Sequence, residues 1–166
     1  MDHETVLAYL DRVGVTAPAA SDAAGLRTLH RAHQLTVPFE NLSIHLAEPI
    51  SLDEPDLIDK IVHRRRGGFC YELNGAFGAL LAHLGYDVTL LAARVFGDGG
   101  ALGPPYDHLA LRVDLPDEAG KKPRLVDVGF EAFVAEPLRL DERGEQADPL
   151  GTVRLVETGE DRKSVV

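Results

Sequence analysis

The hydrophobic pattern of this 166-residue chain changes its period at Gly85. Before that glycine, apolar residues recur every three or four positions, which is typical of helices. After it, apolar and polar residues alternate, which is typical of strands with one buried face. Helices followed by strands predict an α+β fold. We therefore expect a helical bundle over residues 1–85 and a small curled antiparallel sheet, or β-barrel, over residues 86–166.

Four helical segments are predicted in the first part of the chain. They cover residues 4–13, residues 22–35, a stretch opened by a capping box at Ser51–Glu54, and a stretch that begins near Cys70 and ends at Gly85. In the second segment, His30 and His33 lie three residues apart. We expect them on the surface rather than in a metal site, because no third ligand accompanies them.

Strands are predicted at residues 87–96, 108–115, 124–128 and 153–157. The alternation is clearest in the second strand, where Leu109, Leu111 and Val113 share one face. We expect the last strand to form a hairpin with the closing residues around Gly159-Glu160-Asp161.

The only cysteine of the chain, Cys70, stands after Gly67, Gly68 and Phe69. Its sulfur is predicted in the first turn of a helix, after a loop that glycine shapes. Free N–H groups and the positive end of the helix dipole favour the thiolate there. Most free cysteines are small buried hydrophobes, so a nucleophile requires a partner base elsewhere in the chain.

Charge and composition restrict the classes of function. Seventeen basic and 27 acidic residues give a formal charge of −10, which argues against nucleic-acid binding. The short basic run His63–Arg66 is interpreted as a solvated helix end. The sequence shows no run of membrane-spanning length, no signal peptide at Met1 and no second cysteine for a disulfide. We therefore expect a cytoplasmic protein without a membrane partner.

Two residues of the second half are candidates for the base and its orienting acid. His108 opens a strand directly after a long loop, and Asp127 lies between Val126 and Val128. In neighbouring strands, the imidazole would take the thiol proton of Cys70 and the carboxylate would fix the tautomer. Taken singly, each residue also has a purely structural interpretation, as an edge histidine or a sheet-end acid.

Glu40 is a further candidate, because it lies in an apolar stretch between Phe39 and Leu42. A carboxylate in such surroundings usually needs a cationic partner.

Four blocks of the sequence resemble signatures of the arylamine N-acetyltransferases. They are Val37–Leu42, Arg66–Asn74, Asp107-His108 with the alternating strand that follows, and Val126–Phe130. The resemblance covers essentially the whole chain. It implies a helical bundle followed by a β-barrel, with a Cys-His-Asp arrangement like that of papain and the transglutaminases. Cys70, His108 and Asp127 fall on the catalytic triad of the family.

The resemblance also implies a ping-pong reaction without a metal. The thiolate of Cys70 attacks acetyl-coenzyme A, and an arylamine, arylhydrazine or arylhydroxylamine then takes the acetyl group. Glu40 and Arg66 fall on an acid–base pair that braces the bundle beside the cysteine. Phe69, Gly129 and Phe130 fall on the border of the coenzyme and amine pocket.

The chain departs from the family pattern in two respects. Glu131 stands where the family usually has a small residue, and its carboxylate would repel the phosphates of the coenzyme if it faced the cleft. The chain also looks like the first two domains only, without the third α/β domain and the C-terminal segment. We expect this short form to hydrolyse acetyl-coenzyme A in competition with transfer, and to self-associate through the face left uncovered.

Three other functions remain open from the sequence. An amide synthase that closes a macrolactam would use the same triad with a carrier-bound thioester as acyl donor. A catalytically impaired two-domain fragment would act as a binding module, and its Cys70 would be unreactive. A redox-sensor cysteine is the third, but it would not need His108 and Asp127.

Overall fold

The computed structural model describes residues 1–15, 21–97, 99–117, 120–130, 134–157 and 163–165. Its helices are α1 (His3–Val13), α2 (Ala23–Thr36), α3 (Leu42–His45), α4 (Glu54–Ile58), a π-helical segment (Asp59–His63) and α5 (Cys70–His83). Its strands are β1 (Asp87–Ala93), β2 (His108–Asp117), β3 (Gly120–Val126), β4 (Leu138–Arg139), β5 (Glu145–Asp148), β6 (Gly151–Glu157) and β7 (Lys163–Val165). The predicted order of helices and then strands is confirmed.

Local capping explains where the long helices begin and end. The carboxylate of Asp22 accepts a hydrogen bond from the N–H of Gly25 at 2.7 Å at the start of α2. Gly14, with φ of 75°, closes α1, and Gly85, with φ of 86°, follows Leu84, the C-cap residue of α5. Both glycines adopt the left-handed conformation that a helix end requires.

The predicted capping box at Ser51–Glu54 is wrong. The hydroxyl of Ser51 accepts a hydrogen bond from the N–H of Asp53 at 3.2 Å, and α4 begins only at Glu54. Pro55 lies in the first turn of α4, where its fixed φ favours a helix start without a side-chain cap. The short helix α3, at residues 42–45, was not predicted.

The described strands form two antiparallel sheets, with orders β1-β2-β3-β4 and β5-β6-β7. The alternation predicted in β2 is confirmed, since its apolar residues Leu109, Leu111, Val113 and Leu115 are all buried. Strands β6 and β7 form the predicted closing hairpin, whose turn at residues 158–162 lies outside the described residues. An α+β fold is therefore confirmed, and closure of the strands into a barrel stays a prediction.

The register between β2 and β3 determines where the candidate base and acid lie. Leu111 pairs with Val126 at the end of β3, so Asp127 emerges beside the first residues of β2. The strand predicted at residues 124–128 thus ends before Asp127. His108, the first residue of β2, is opposite Ala93 of β1.

One hydrophobic core joins the helices to the first sheet. Phe77, Leu80 and Leu81 of α5 belong to the same buried cluster as Leu111 and Val126 of the sheet. Helix α5 therefore packs between the other helices and the strands, and the change of structure near residue 85 occurs within a shared core. Among the described helices, none has the length and apolar character needed to cross a membrane.

His30 and His33 are buried, so the prediction that they lie on the surface was wrong. Both are 0% exposed. Nε2 of His33 lies 3.0 Å from the Tyr9 hydroxyl, and its ring lies 5.0 Å from that of Phe77. Such hydrogen bonds and ring contacts allow a neutral imidazole to occupy a core. Burial lowers the pKa of His30, and it lowers that of His33 to about 3.

Candidate active site

The loop before Cys70 has its shape because Gly67 and Gly68 leave no room for a side chain. A side chain at Gly67 would place its Cβ 1.9 Å from the carbonyl oxygen of Pro38. The N–H of Glu40 donates to the carbonyl of Gly68 at 2.9 Å, which ties the two segments together. Cys70 is therefore held as the first residue of α5, half-buried, in the predicted first turn.

The structure brings Cys70, His108 and Asp127 together. Nε2 of His108 lies 2.5 Å from Oδ2 of Asp127. Cys70 lies close enough to the imidazole to help raise its pKa. His108 is 6% exposed and Asp127 is 3% exposed. Burial acts to lower the pKa of His108, but the hydrogen bond to Asp127 and the neighbouring side chains of Asp127 and Cys70 outweigh it and raise this pKa to about 9. The imidazole is thus prepared to hold a proton next to the sulfur.

Asn74 orients the acid, a role that sequence reasoning did not assign. Its amide Nδ2 donates to Oδ1 of Asp127 at 2.8 Å and to the carbonyl of Leu109 at 2.7 Å. Its Oδ1 accepts from the N–H of Val128 at 3.0 Å. Asn74 lies four positions after Cys70, so both are on one face of α5. That spacing was the one feature of the sequence that could have indicated the role of Asn74.

Helix α2 holds the backbone of Asp127. Nε2 of His30 lies 3.0 Å from the backbone carbonyl of Asp127, and the amide of Gln34 donates to that carbonyl at 3.3 Å. Gln34 also donates to the carbonyl of Val134 at 2.8 Å. The segment after β3 is therefore attached to α2 by side chains that no local sequence signal identified.

The predicted pairing of Glu40 with Arg66 is present. Nε and Nη2 of Arg66 lie 3.1 and 2.9 Å from Oε1 of Glu40. Burial acts to raise the pKa of Glu40, but the N–H of Leu42 and the cations Lys60 and Arg66 outweigh it and lower this pKa. The carboxylate is therefore charged beside the loop that leads to Cys70.

A second ion pair, between Lys60 and Glu72, was not predicted. Nζ of Lys60 lies 2.8 Å from both carboxylate oxygens of Glu72, and both side chains are buried. Glu72 also accepts from the N–H of Phe69 at 3.2 Å, at the start of α5. Lys60 donates to the hydroxyl of Ser43 at 3.2 Å, which Arg66 also contacts. The two ion pairs thus form one network beneath the helix end that carries the cysteine.

The three predicted pocket residues lie around the cysteine and the histidine. A Cβ on Gly129 would lie 2.7 Å from Cα of Cys70, so this glycine permits direct contact with the start of α5. The ring of Phe130 meets that of His108 edge-on at 5.1 Å. Phe69 is the N-cap residue of α5. Glu131 lies outside the described residues.

Comparison with known proteins identifies the family. The sequence profile described as N-acetyltransferase matches residues 22–166. The arylamine N-acetyltransferase / N-hydroxyarylamine O-acetyltransferase of Salmonella typhimurium is 40% identical over 153 residues. The chain belongs to the arylamine N-acetyltransferase family. The four resemblance blocks, between residues 37 and 130, all lie within the matched range.

Solved structures of arylamine N-acetyltransferases share the fold. The Mycobacterium marinum enzyme, in a complex with CoA, superposes with a TM-score of 0.87 at 39% identity over 96% of this chain and 59% of that one. The Salmonella typhimurium enzyme gives a TM-score of 0.85 at 37% identity over 96% and 57%. In sequence, the match covers 92% of this chain and 53% of the Salmonella protein. The chain thus spans about half the length of that relative.

Proposed function

We propose that this chain moves an acetyl group from acetyl-coenzyme A to the nitrogen of arylamines, arylhydrazines or arylhydroxylamines, with Cys70 as the acyl carrier. The observation that carries the proposal is the buried imidazole of His108, which pairs with Asp127 at 2.5 Å and has Cys70 as its other neighbour that raises its pKa. Family membership supplies the reaction class. No step requires a metal.

In the first half-reaction, His108 takes the thiol proton and the sulfur of Cys70 attacks the thioester carbonyl carbon. The bond from this carbon to the coenzyme sulfur then breaks, and the coenzyme leaves as a thiol with the proton from His108. The N–H of Cys70 is a candidate donor to the tetrahedral oxyanion, because the first N–H groups of a helix have no intrahelical acceptor.

In the second half-reaction, the amine nitrogen attacks the acetyl group on Cys70. His108 accepts the proton that the amine loses and returns it to the departing sulfur, which restores the thiol. Exchange between two thioesters is nearly isoenergetic, so the acetylated enzyme keeps its reactivity toward the amine. Asp127 holds the imidazole in place and stabilises its protonated form in both halves.

Water is proposed as a competing acceptor in this 166-residue chain. Cys70 is half-buried rather than enclosed, so an acetyl group on its sulfur would stay within reach of solvent. We therefore expect slow release of coenzyme A from acetyl-coenzyme A without any amine.

A set of exposed apolar side chains supports the expectation of self-association. They are Phe39, Leu42, Ile44, Leu46, Ile50 and Leu52. They all fall within residues 39–52, and exposed apolar surface favours contact between copies. Sedimentation velocity at several protein concentrations tests this, and a sedimentation coefficient independent of concentration would contradict it.

Release of coenzyme A thiol, measured with and without an aromatic amine, tests the activity. We expect release that the amine accelerates, together with formation of the N-acetylated amine. Asp127→Asn should slow both, because the amide cannot stabilise the imidazolium of His108 as a carboxylate does. If no thiol is released with or without amine, the proposal is wrong.

A further inference from the structure

A hydrogen bond attaches the loop before β2 to the helix that carries the proposed nucleophile. The hydroxyl of Tyr71 donates to the backbone carbonyl of Tyr106 at 2.6 Å. Tyr71 directly follows Cys70, and Tyr106 precedes His108 by two residues. This bond therefore joins the two segments that bring the sulfur and the imidazole together, and it involves no atom that the proposed chemistry uses.

The backbone of Tyr106 needs an external restraint. Its φ is 61°, in the left-handed region that a residue with a bulky side chain rarely adopts. Its own side chain is 72% exposed, so packing of the ring does little to hold this conformation. Strained backbone persists only where the surroundings impose it. The hydrogen bond from Tyr71 acts on the strained residue itself.

Tyr71 is well placed to impose this restraint. Its ring packs against that of Phe69, with the centroids 6.1 Å apart and an angle of 44° between the planes. Partial burial raises the pKa of the Tyr71 hydroxyl, and the negative charges of Cys70 and Asp107 raise it further. The phenol therefore keeps its proton and donates it.

We propose that Tyr71 is a positioning residue for acyl transfer. Its hydroxyl holds the carbonyl of Tyr106, and this fixes the entry of the chain into β2, so that His108 stays aligned with Cys70. Without the hydroxyl, the strained turn relaxes and the imidazole spends less time within reach of the sulfur. The inference rests on the proposed function for its catalytic meaning, and it adds a residue outside Cys70, His108 and Asp127.

Two matched variants test the inference. Tyr71→Phe removes the donor and keeps the ring that packs on Phe69. Tyr106→Phe removes a hydroxyl of the same kind from the partner, but it keeps the backbone carbonyl that accepts the bond. Each protein is treated with iodoacetamide from neutral to alkaline pH, and the rate of alkylation of Cys70 is measured. The rate of acetylation by acetyl-coenzyme A is measured alongside.

We expect Tyr71→Phe to slow both reactions at neutral pH by about three- to tenfold, the range that one neutral hydrogen bond supports. The deficit in alkylation should shrink at alkaline pH, where a thiol ionises without help from a base. Tyr106→Phe should stay within about twofold of the original protein, as most surface substitutions do. A purely structural role of Tyr71 would not produce a deficit that depends on pH.

Equal rates for Tyr71→Phe and the original protein would overturn the inference, as would equal losses in both variants. Thermal unfolding of each variant shows whether a slower rate reflects unfolding, and a loss that follows unfolding would also count against it. If the original protein reacts with iodoacetamide but takes no acetyl group, the proposed function fails. The alkylation rates of the two variants still decide the role of Tyr71.

Discussion

The side-chain amide of Asn74 donates to Oδ1 of Asp127 at 2.8 Å, from one turn beyond Cys70 on α5. Oδ2 of the same carboxylate is thereby left for His108. One helix thus carries both the proposed nucleophile and the residue that orients Asp127. The relative positions of the three residues depend on this helix as much as on the strands.

Replacing Asn74 with alanine should therefore damage both stability and activity. The change removes the side-chain partner of the Leu109 carbonyl and of the Val128 N–H, and it leaves Oδ1 of Asp127 with only the N–H of Gly129. Each buried unpaired group costs about 1–3 kcal/mol, although solvent and rearrangement reduce the sum. Urea unfolding measures the stability, and coenzyme A release measures the activity. Asn41→Ala is the control, because Asn41 is exposed and its side chain makes no cap. Normal activity in Asn74→Ala would show that Asp127 needs no orienting amide.

Replacing Lys60 with methionine should be strongly destabilising. Glu72 would keep a buried charge without its cation, and breaking a buried ion pair from one side costs about 3–5 kcal/mol. Adding Glu72→Leu should recover part of that loss, since an apolar pair of similar volume replaces the ion pair. Chemical denaturation of the single and double variants tests both statements.

The control for Lys60 is Arg64→Met, which removes an exposed cation that lies 3.9 Å from Asp59. Exposed ion pairs contribute about 0–1 kcal/mol, so this variant should stay close to the original protein. Equal losses of unfolding free energy for Lys60→Met and Arg64→Met would mean that the buried ion pair contributes no more to stability than the exposed one.

Gly129→Ala should disturb the site directly. The added methyl group would lie 2.7 Å from Cα of Cys70 and 2.8 Å from Nδ2 of Asn74, so the backbone after β3 must move. Overpacking of this kind costs about 1–3 kcal/mol, and here it also displaces Asp127. We expect slower acetylation of Cys70, measured by mass spectrometry. Gly97→Ala is the matched control, because its nearest contact would be at an ordinary 3.7 Å. If Cys70 is acetylated at the normal rate in both variants, the close contact at Gly129 does not restrict the position of Asp127.

Stability should decrease on the acid side because of His33. Its pKa is about 3 in the folded protein, against 6.5 for an ordinary histidine. The unfolded chain therefore binds a proton that the folded chain does not, and stability is lost as the pH falls from 6.5 toward 3. His33→Leu should reduce the slope of unfolding free energy against pH in this range by up to one proton, or about 1.4 kcal/mol per pH unit. An unchanged slope would contradict the buried, neutral state of His33.

Stability should also decrease on the alkaline side because of His108. Its pKa in the folded protein is raised to about 9 from 6.5, so its contribution is fully present below pH 6.5 and is lost as the pH rises through 9. His108→Gln should flatten the decline between these two values. Denaturation at a series of pH values tests this, and a decline of the same steepness in the variant would assign it to other groups.

The sequence indicated those parts of the site that depend on local patterns. Two glycines before Cys70 and the alternation after His108 indicated a helix start and a strand start. The position of Asp127 between two valines made it the candidate acid, and the family resemblance then assigned the three residues to one triad. The buried polar partners were different. Lys60 contacts Glu72 across 12 residues, and His30 contacts the carbonyl of Asp127 across 97. Such burial depends on how helices pack, so a single sequence gives no local sign of it.

The most direct test of the central claim is the intact mass of the protein after brief incubation with acetyl-coenzyme A, with Cys70→Ser treated in parallel. We predict a gain of one acetyl group in the original protein and none in the variant. Addition of an aromatic amine should then discharge the adduct. An unmodified mass with no release of coenzyme A, or an equal gain in Cys70→Ser, would contradict the assignment of Cys70 as the acyl carrier.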